Sequence, residues 1–294
     1  MDADEYEKEA VQDFVLWKGR KPGEPYWPAP FGEGRPGWHI ECSAMSMKYL
    51  GPHFDIHMGG VDNIFPHHEN EIAQSECANG ETFVNYWLHC QHLVVDNKKM
   101  SKSLGNFYTL GDLLQRGFDP MAIRYLLIST HYRKLLNFTL DSLEMAGQAL
   151  ARVKNFVFSL KNVQTDGKAD PELAAQVEKN MNSFSANMAD DFNASGALGV
   201  MFDLIHEINP RLNALSRADA VVVLAYLQRL DSVLGVFGNE KEKSLDAAIE
   251  EKIREREQAR KERDFARADA IRTELKAQGI ILMDTPAGVK WKKE

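Results

Sequence analysis

Residues 55–71 read DIHMGGVDNIFPHHENE and combine the end of a strand, a glycine turn and the start of a polar helix. Gly59 and Gly60 can adopt backbone angles closed to other residues and let a ligand approach the main chain. Asp62 follows at a spacing suited to accepting hydrogen bonds from hydroxyl groups. The stretch therefore predicts a ligand-binding turn at the end of a strand.

The same stretch contains two candidate metal ligands. A helix that begins at Pro66 places His67 and Glu71 four residues apart on one face, whereas His68 points elsewhere. Alone, such a pair is more often solvated than bound to a metal. Cys42, upstream, adds a thiol, and one thiolate, one imidazole and one carboxylate suit zinc. The sequence thus predicts a zinc site with three of the four ligands that structural sites normally have.

A second candidate site is the run KKMSKSLGN at residues 98–106. Lys99 and Lys102 lie three residues apart, beside hydroxyl side chains and ahead of a glycine. A loop of this kind can bring positive charge to phosphate groups. By composition alone, an exposed basic turn without a ligand is the commoner alternative.

Composition favours a folded chain of two or three domains and excludes a membrane span. The 294 residues are 44% hydrophobic, enough to bury a sizeable core. No run of about 18 apolar residues occurs, and the acidic first residues lack the apolar segment of a secretory signal. Three cysteines favour a reducing compartment over a disulfide framework, so we expect a cytoplasmic protein.

The net charge of −8 is unevenly spread along the chain. From residue 241 onward, 14 Lys and Arg outnumber 12 Asp and Glu, so the acidic excess lies in the rest of the chain. Overall acidity argues against nonspecific nucleic-acid binding. The mildly basic tail leaves local binding open.

The first third of the chain shows an α/β pattern. Apolar and β-branched residues predict strands over 13–18 and 54–58 and a strand region over 83–95. Residues 38–49 predict a helix, and residues 19–37, with five prolines and five glycines, predict a long irregular connection. Strand, helix and strand together predict a parallel doubly wound sheet, in which ligands bind beyond the carboxyl ends of the strands.

From Thr109 onward the pattern is helical. Apolar residues recur at three- and four-residue steps, which predicts a helical bundle. The predicted helices cover residues 110–117, 119–130, 139–161, 171–188, 194–208, 218–236 and 244–278. Residues 280–294 then predict a small hairpin packed on the last helix.

Three motifs together resemble cysteinyl-tRNA synthetase, a class I aminoacyl-tRNA synthetase. They are GRPGWHIECSAM at residues 34–45, FPHHENE at residues 65–71, and KMSKS at residues 99–103. The last motif marks class I synthetases generally, and its combination with the other two is specific to the cysteine enzyme. The resemblance runs from about Asp13 to the end of the chain.

The sequence also departs from the family. Its members open with a strand that carries a His-Ile-Gly-His signature, preceded by a first zinc cysteine, and neither occurs here; HMGG at residues 57–60 is a superficial echo. The chain therefore resembles the carboxyl-terminal portion of the enzyme. We expect the second half of a Rossmann-type catalytic domain, then an α-helical bundle and a small α+β domain.

The resemblance implies four segments. Residues 1–108 would be a partial Rossmann catalytic domain with the zinc and KMSKS motifs, and residues 109–145 a connecting region that contacts the tRNA stem. Residues 146–238 would be the helical bundle. Residues 239–294 would be a small anticodon-binding domain.

The resemblance also implies roles for the candidate residues. Cys42, His67 and Glu71 would hold zinc that senses the substrate's thiol, and Trp38 would close over the bound L-cysteine. Lys99 and Lys102 would be catalytic, stabilising charge on ATP, which enters with magnesium. Lys102, Gly60 and Asp62 would bind ATP.

Cysteine tRNA is the implied macromolecular partner. The residues expected to contact it near the anticodon are Arg260, Phe265, Asp269, Asp284 and Trp291. Aromatic and arginine side chains can stack on unpaired bases, and carboxylates can accept hydrogen bonds from base edges. Phe265 and Trp291 would alternatively be core residues.

The function expected from the resemblance is that of a cysteine-tRNA ligase, of which this chain would be a partial, monomeric form that is inactive alone. Two alternatives stay open: a catalytically silent tRNA-binding module, and one half of a split synthetase completed by a separate amino-terminal half. A shortened ligase that acts on a small amine is disfavoured, because it would not need an anticodon-reading tail. The remaining histidines, among them His39 and His89, have no assigned role, and Cys77 and Cys90 are read as ordinary thiols.

Overall fold

The computed structural model describes residues 13–237, 247–285 and 288–293. The chain divides into two compact units, with the boundary between Phe237 and Gly238. The four-segment division stays a prediction. No helix among the described residues is long and apolar enough to cross a membrane.

The first unit opens with a short antiparallel hairpin of β1 (Trp17–Gly19) and β2 (Gly34–Pro36). The strand predicted over 13–18 therefore begins later than expected. The connection predicted to be irregular over 19–37 contains β2, because Gly34 fits closely against its partner strand: a Cβ there would lie 2.2 Å from the Lys18 carbonyl oxygen.

The predicted strand–helix–strand unit is present. α1 (Trp38–Leu50) precedes β3 (Phe54–Gly60), which pairs in parallel with β4 (Val84–Cys90). Between the two strands, a 3-10 turn (Val61–Asn63) and a π-helical turn (Ile64–His68) lead into α2, which covers Glu69–Asn79.

The strand region predicted over 83–95 is confirmed, but it consists of two strands that belong to different sheets. β4 ends at Cys90, and β5 (Leu93–Val95) belongs to a different sheet, where it pairs antiparallel with β6 (Lys98–Lys99) and parallel with β7 (Leu136–Phe138). The chain leaves β4 at Gln91, whose backbone N–H donates to the Tyr132 carbonyl instead of to a β3 residue. Periodicity carries no information on that long-range contact.

Helices follow as the periodicity predicts. They are α3 (Leu110–Gln115), α4 (Pro120–Ile128), α5 (Leu140–Lys161), α6 (Pro171–Ala189), α7 (Ala194–Ile208) and α8 (Arg217–Leu234). Side chains of Thr139, Asp170, Asn193 and Ser216 cap α5 to α8 at their amino termini. Met201, Leu204, Val223 and Leu230 lie in the centre of one apolar core, each at most 1% exposed.

The second unit contains α9 (Ala247–Lys261), α10 (Phe265–Ala277) and a hairpin of β8 (Ile280–Thr285) and β9 (Gly288–Lys293). The hairpin is confirmed. The single helix predicted over 244–278 is wrong, because Arg263 adopts a left-handed φ of 63° and ends the run. Asp264 then caps α10 by accepting from the Arg267 N–H.

Candidate metal and nucleotide site

The three predicted metal ligands converge from α1, the π-helical turn and α2. Cys42 is half-buried on α1, His67 is buried in the π-helical turn, and Glu71 is fully buried in the first turn of α2. Their donor atoms all lie within 4.8 Å of one another. The i, i+4 pair also meets directly, with His67 Nε2 2.9 Å from Glu71 Oε1.

One atom of this group lacks a hydrogen-bond donor. Glu71 Oε1 is buried, and among the described residues nothing donates a properly directed hydrogen bond to it. Such an atom costs free energy unless something satisfies it. A cation between the thiol, the imidazole and the carboxylate would do so, and this donor set suits zinc. The residues present therefore fit the implied metal.

Burial sets the protonation states of the site. It raises the pKa of the Cys42 thiol, and the negative charges of Glu71 and Glu41 raise it further. Burial also lowers the pKa of His67, which outweighs the opposite effect of Glu71. The histidine is therefore neutral, the form that binds metals, whereas the thiol must lose its proton when a cation enters.

A second layer of side chains orients His67. His39 Nδ1 lies 2.7 Å from His67 Nδ1, so the Nε2 atom of His67 is the one left to face Glu71. The Trp38 ring stacks on the His67 ring with centroids 4.0 Å apart. Gln74 in turn donates to the His39 carbonyl at 2.6 Å. Residues outside the triad thus hold its imidazole in one orientation, as outer-shell partners do in metal sites.

Further histidines line the other side of Glu71. His57 Nε2 lies 2.9 Å from Glu71 Oε2, and His68 Nδ1 lies 2.8 Å from His89 Nε2. The Trp87 ring packs against both His57 and His68. Burial lowers the pKa of His68 to about 4, and His57, His68 and Glu71 form a second group with donor atoms within 4.8 Å.

The sequence patterns do not reveal this histidine layer. His39 and His57 contact members of the triad, and His89 contacts His68. The alternation of side chains between the two faces of paired strands could have pointed to it. His57 and Trp87 are register partners, and His89 pairs with Gly59 two residues on, so these side chains share one face of the sheet.

Gly59 and Gly60 are required for close packing, because a side chain at either position would collide with a neighbour. Neither Gly59 nor Gly60 has a positive φ, so the angles predicted for them are wrong. A Cβ on Gly59 would lie 2.6 Å from His68 Cε1, and one on Gly60 would lie 2.3 Å from Asp62 Oδ1. The missing side chains make room for an imidazole and for the exposed Asp62 carboxylate.

The lysine loop extends from the β5–β6 hairpin, whose turn residues have positive φ. Lys99 and Lys102 are exposed, and Lys102 Nζ lies 5.5 Å from the Phe107 ring centroid. Asn106 ties the loop together: its Nδ2 donates to the Lys99 carbonyl at 3.1 Å, and its Oδ1 accepts from the Ser101 N–H at 2.9 Å. The two ammonium groups are thus accessible on a loop closed by one amide side chain.

The five predicted tRNA contacts lie in the second unit in different settings. Arg260 and Asp269 are exposed, and Phe265 is 60% exposed at the start of α10. Trp291 is half-buried and packs against the apolar core of this unit. Asp284 lies on β8, and its side chain is outside the described part of the structure.

Three segments of the chain match known families. Residues 1–148 match the tRNA synthetases class I (C) catalytic domain, residues 183–238 the DALR domain, and residues 242–291 the Cysteinyl-tRNA ligase anticodon binding domain. The first match covers half of the chain.

Curated relatives match along the whole chain. A protein of Brachyspira hyodysenteriae is 49% identical over 99% of this chain and 63% of its own length, and one of Protochlamydia amoebophila is 47% identical over 99% and 62%. A third, from Leptospira interrogans, is 50% identical over 100% and 64%. All three carry the name Cysteine–tRNA ligase, and the chain spans less than two thirds of the length of each.

The fold is similar to that of a solved structure. The ternary complex of Agrobacterium radiobacter LeuRS with tRNA and LeuAMS matches 72% of this chain and 32% of its own chain, with a TM-score of 0.55 and 17% identity. This likeness supports the α/β fold followed by helices. The family matches establish that the chain belongs to the cysteinyl-tRNA synthetase family of class I aminoacyl-tRNA synthetases.

Proposed function

We propose that this chain supplies the amino-acid-sensing and tRNA-binding parts of a cysteine-tRNA ligase, which activates L-cysteine with ATP and transfers it to cysteine tRNA. The observation that carries the proposal is the convergence of the Cys42, His67 and Glu71 donor atoms within 4.8 Å of one another. The names of the relatives agree with this assignment.

Zinc held by Cys42, His67 and Glu71 would act as a Lewis acid that favours a thiolate over the hydroxyl of serine. The chain's own residues prepare the place for it. His39 fixes the orientation of His67, and burial keeps that ring neutral. Trp38, stacked on His67 and still partly exposed, forms an aromatic wall that the substrate's side chain would contact.

The lysine loop would contact the phosphates of ATP. Lys99 and Lys102 would approach the phosphates of ATP with its magnesium ion and stabilise the charge that develops as pyrophosphate leaves. Their exposure leaves both ammonium groups free to move toward a nucleotide. Gly60 and the exposed Asp62 would bind the adenosine side.

The tRNA would bind along the helical part and the second unit. Phe265 is the best-placed residue of this unit to stack on an unpaired base, because its ring is largely exposed at the first residue of α10. Arg260 and Asp269 would contact the same nucleic acid through charge and hydrogen bonds. Trp291 would instead support this surface from the core, and we retain Asp284 as a candidate.

The metal part of the proposal is tested by zinc titration after chelator treatment. The wild-type chain should bind one zinc ion, and Cys42→Ala and Glu71→Gln should each lose it. Cys77→Ala is the matched control, since Cys77 is also a free cysteine but is exposed and outside the triad. Equal zinc binding by all four proteins would overturn the assignment of these ligands.

The tRNA part is tested separately by binding. The chain should bind cysteine tRNA in a salt-dependent manner and prefer it to the same tRNA with an altered anticodon, and Phe265→Ala should reduce that preference. Because no His-Ile-Gly-His signature occurs in the 294 residues, the chain alone should not catalyse cysteine-dependent ATP–pyrophosphate exchange. Exchange at a rate typical of synthetases would contradict this; tRNA binding without zinc would indicate a silent tRNA-binding module.

A further inference from the structure

Three polar side chains join α1 to α2 beside the candidate metal site. Gln74 on α2 donates from its Nε2 atom to the His39 carbonyl oxygen at 2.6 Å and to Ser43 Oγ at 2.5 Å, both on α1. Ser75 Oγ, also on α2, donates to the same Ser43 hydroxyl at 2.8 Å. We call Gln74, Ser43 and Ser75 the helix clasp.

The helix clasp lies at a buried contact that small apolar side chains would also fill. Ser43 and Ser75 are each 1% exposed. Buried hydroxyl and amide groups cost free energy unless they are hydrogen-bonded, and each satisfied bond adds little net stability. What such bonds add is direction, since each one forms in a narrow range of distances and angles. The clasp therefore fixes how α1 and α2 lie against each other.

The carboxamide of Gln74 fits this contact in one orientation. The His39 carbonyl can accept a hydrogen bond but cannot donate one, so a reversed amide would set oxygen against oxygen. Gln74 Oε1 is buried, and among the described residues nothing donates a hydrogen bond to it. The side chain therefore joins the helices through its N–H donors alone.

Helical spacing places the clasp within one turn of two metal ligands. On α1, Cys42 is the residue before Ser43 and lies three residues after His39. On α2, Glu71 lies three residues before Gln74, on the same face. A helix rises about 1.5 Å per residue, whereas the distances in a metal site vary by only about 0.2 Å. A slide of one helix by a fraction of one residue would thus spoil the spacing of Cys42 and Glu71.

We infer that Gln74 is a positioning residue for the metal site: by joining α2 to α1 on both sides of Cys42, it sets the separation between the Cys42 thiolate and the Glu71 carboxylate. The inference rests on the proposed function, because it concerns the residues that would hold zinc. This role differs from that of His39, whose ring orients one imidazole, since Gln74 sets the spacing of two helices.

The test is the zinc affinity of Gln74→Met, measured by competition with a chelator. Methionine keeps the length of the side chain and removes both N–H donors. We expect the affinity to fall by about tenfold or more, as it does when outer-shell partners of metal ligands are lost.

Asn79→Ala is the matched control for this variant. Asn79 Nδ2 also joins α2 to α1, at 2.9 Å from Met47 Sδ, but the contact is exposed and lies at the last residue of α2. Because the contact is remote from the triad, this variant should bind zinc within about twofold of the wild type.

A double-mutant cycle shows whether the bond to Ser43 carries the effect. Ser43→Ala should also weaken zinc binding. Combined with Gln74→Met, it should lower the affinity by less than the product of the two separate losses, because both variants break the same hydrogen bond. Combined with Asn79→Ala, it should give the loss of Ser43→Ala alone. In the cobalt(II)-loaded protein, the visible d–d bands of Gln74→Met should shift, since these bands report the geometry around the metal, which a purely structural substitution would not change.

Two results would overturn the inference. One is a zinc affinity of Gln74→Met within about twofold of a wild type that binds zinc. The other is an equal loss in Asn79→Ala, which would mean that any contact between the two helices has the same effect. Urea midpoints of the metal-free proteins check folding, and if Gln74→Met does not fold, Ser43→Ala is judged by the same two criteria. A wild-type chain that binds no zinc would instead contradict the proposed function itself.

Discussion

The helical bundle and the α/β segment before it distribute polar and apolar side chains in opposite ways. In the bundle of α5 to α8, apolar residues fill the core, and the buried polar residues are Ser216 and Asp219, which cap a helix. In the α/β segment the buried polar residues are His39, Ser43, His67, His68, Asn70, Glu71 and Ser75. Meanwhile Ile56, Met58 and Tyr86 face solvent.

The contrast separates residues that stabilise the fold from residues that serve binding. Burying polar groups costs free energy unless they are satisfied, and exposing apolar groups forgoes the gain from burial. The bundle avoids the first cost, because Ser216 and Asp219 hydrogen-bond to each other, although it still exposes apolar side chains such as Met145 and Val221. The α/β segment incurs both costs, and a metal bound by Cys42, His67 and Glu71 would offset the first.

The largest expected effect is in the bundle core. Leu230→Ala should lower the free energy of unfolding by about 2–5 kcal/mol, because Leu230 is fully buried and the substitution leaves a cavity. Chemical denaturation measures the loss. Zinc stoichiometry should stay unchanged, and a loss of zinc by this variant would show that the two regions are not separable.

The next effect concerns the orientation of a metal ligand. His39→Ala removes the ring that lies 2.7 Å from His67 Nδ1, and we expect zinc affinity to fall by about 10- to 100-fold. Competition with a chelator measures it. His53→Ala is the control, since His53 is exposed and its ring contacts the Thr82 carbonyl. Zinc affinity equal to that of the wild type would refute an orienting role for His39.

A smaller effect should come from the buried cap of α8. Burial would raise the pKa of Asp219, but hydrogen bonds from the backbone of Asp170 and Ser216 and from the Ser216 hydroxyl outweigh it and hold that pKa below its ordinary value. Asp219→Asn should therefore cost roughly 1–2 kcal/mol at neutral pH.

The pH dependence of this difference has a definite sign. The folded pKa of Asp219 lies below the unfolded one, so its stabilisation is present above about pH 4 and is lost as the pH falls through the folded pKa. The wild type and the Asp219→Asn variant should converge in acid. If the difference in unfolding free energy between the two proteins widened below about pH 4, these hydrogen bonds to Asp219 would not be stabilising the fold.

The smallest effect is expected at the surface. Lys154 Nζ lies 3.3 Å from Asp119 Oδ2, with both side chains well exposed. Lys154→Met should change the unfolding free energy by less than about 1 kcal/mol, because exposed ion pairs contribute little. A larger loss of unfolding free energy would show that this ion pair stabilises the fold more than an exposed pair normally does.

Much of the fold follows from local pattern. The helices of the bundle match their apolar periodicity, and the spacing of His67 and Glu71 places both side chains on one face. Long-range register does not follow. The residues around Gln91 do not indicate that the chain changes sheets there. Likewise, the sequence around Arg263 has the charged pattern of a helix, although the helix breaks at that residue.

The candidate site divides in the same way. Cys42 was predicted as a ligand from a sequence motif, and the structure places it beside the other two donors. Periodicity alone does not predict that contact. His57 and His89 reach the site only because β3 and β4 pair in one particular register. Considered one at a time in the sequence, each of these histidines looks like an ordinary core residue.

The most direct test of the metal site is the absorption spectrum of the chain loaded with cobalt(II) in place of zinc. A bound cysteine thiolate produces a sulfur-to-cobalt charge-transfer band. We expect this band in the wild type and in Cys77→Ser, and its loss in Cys42→Ser. A band that survives Cys42→Ser, or its absence from the wild-type spectrum, would show that Cys42, His67 and Glu71 do not form the metal site.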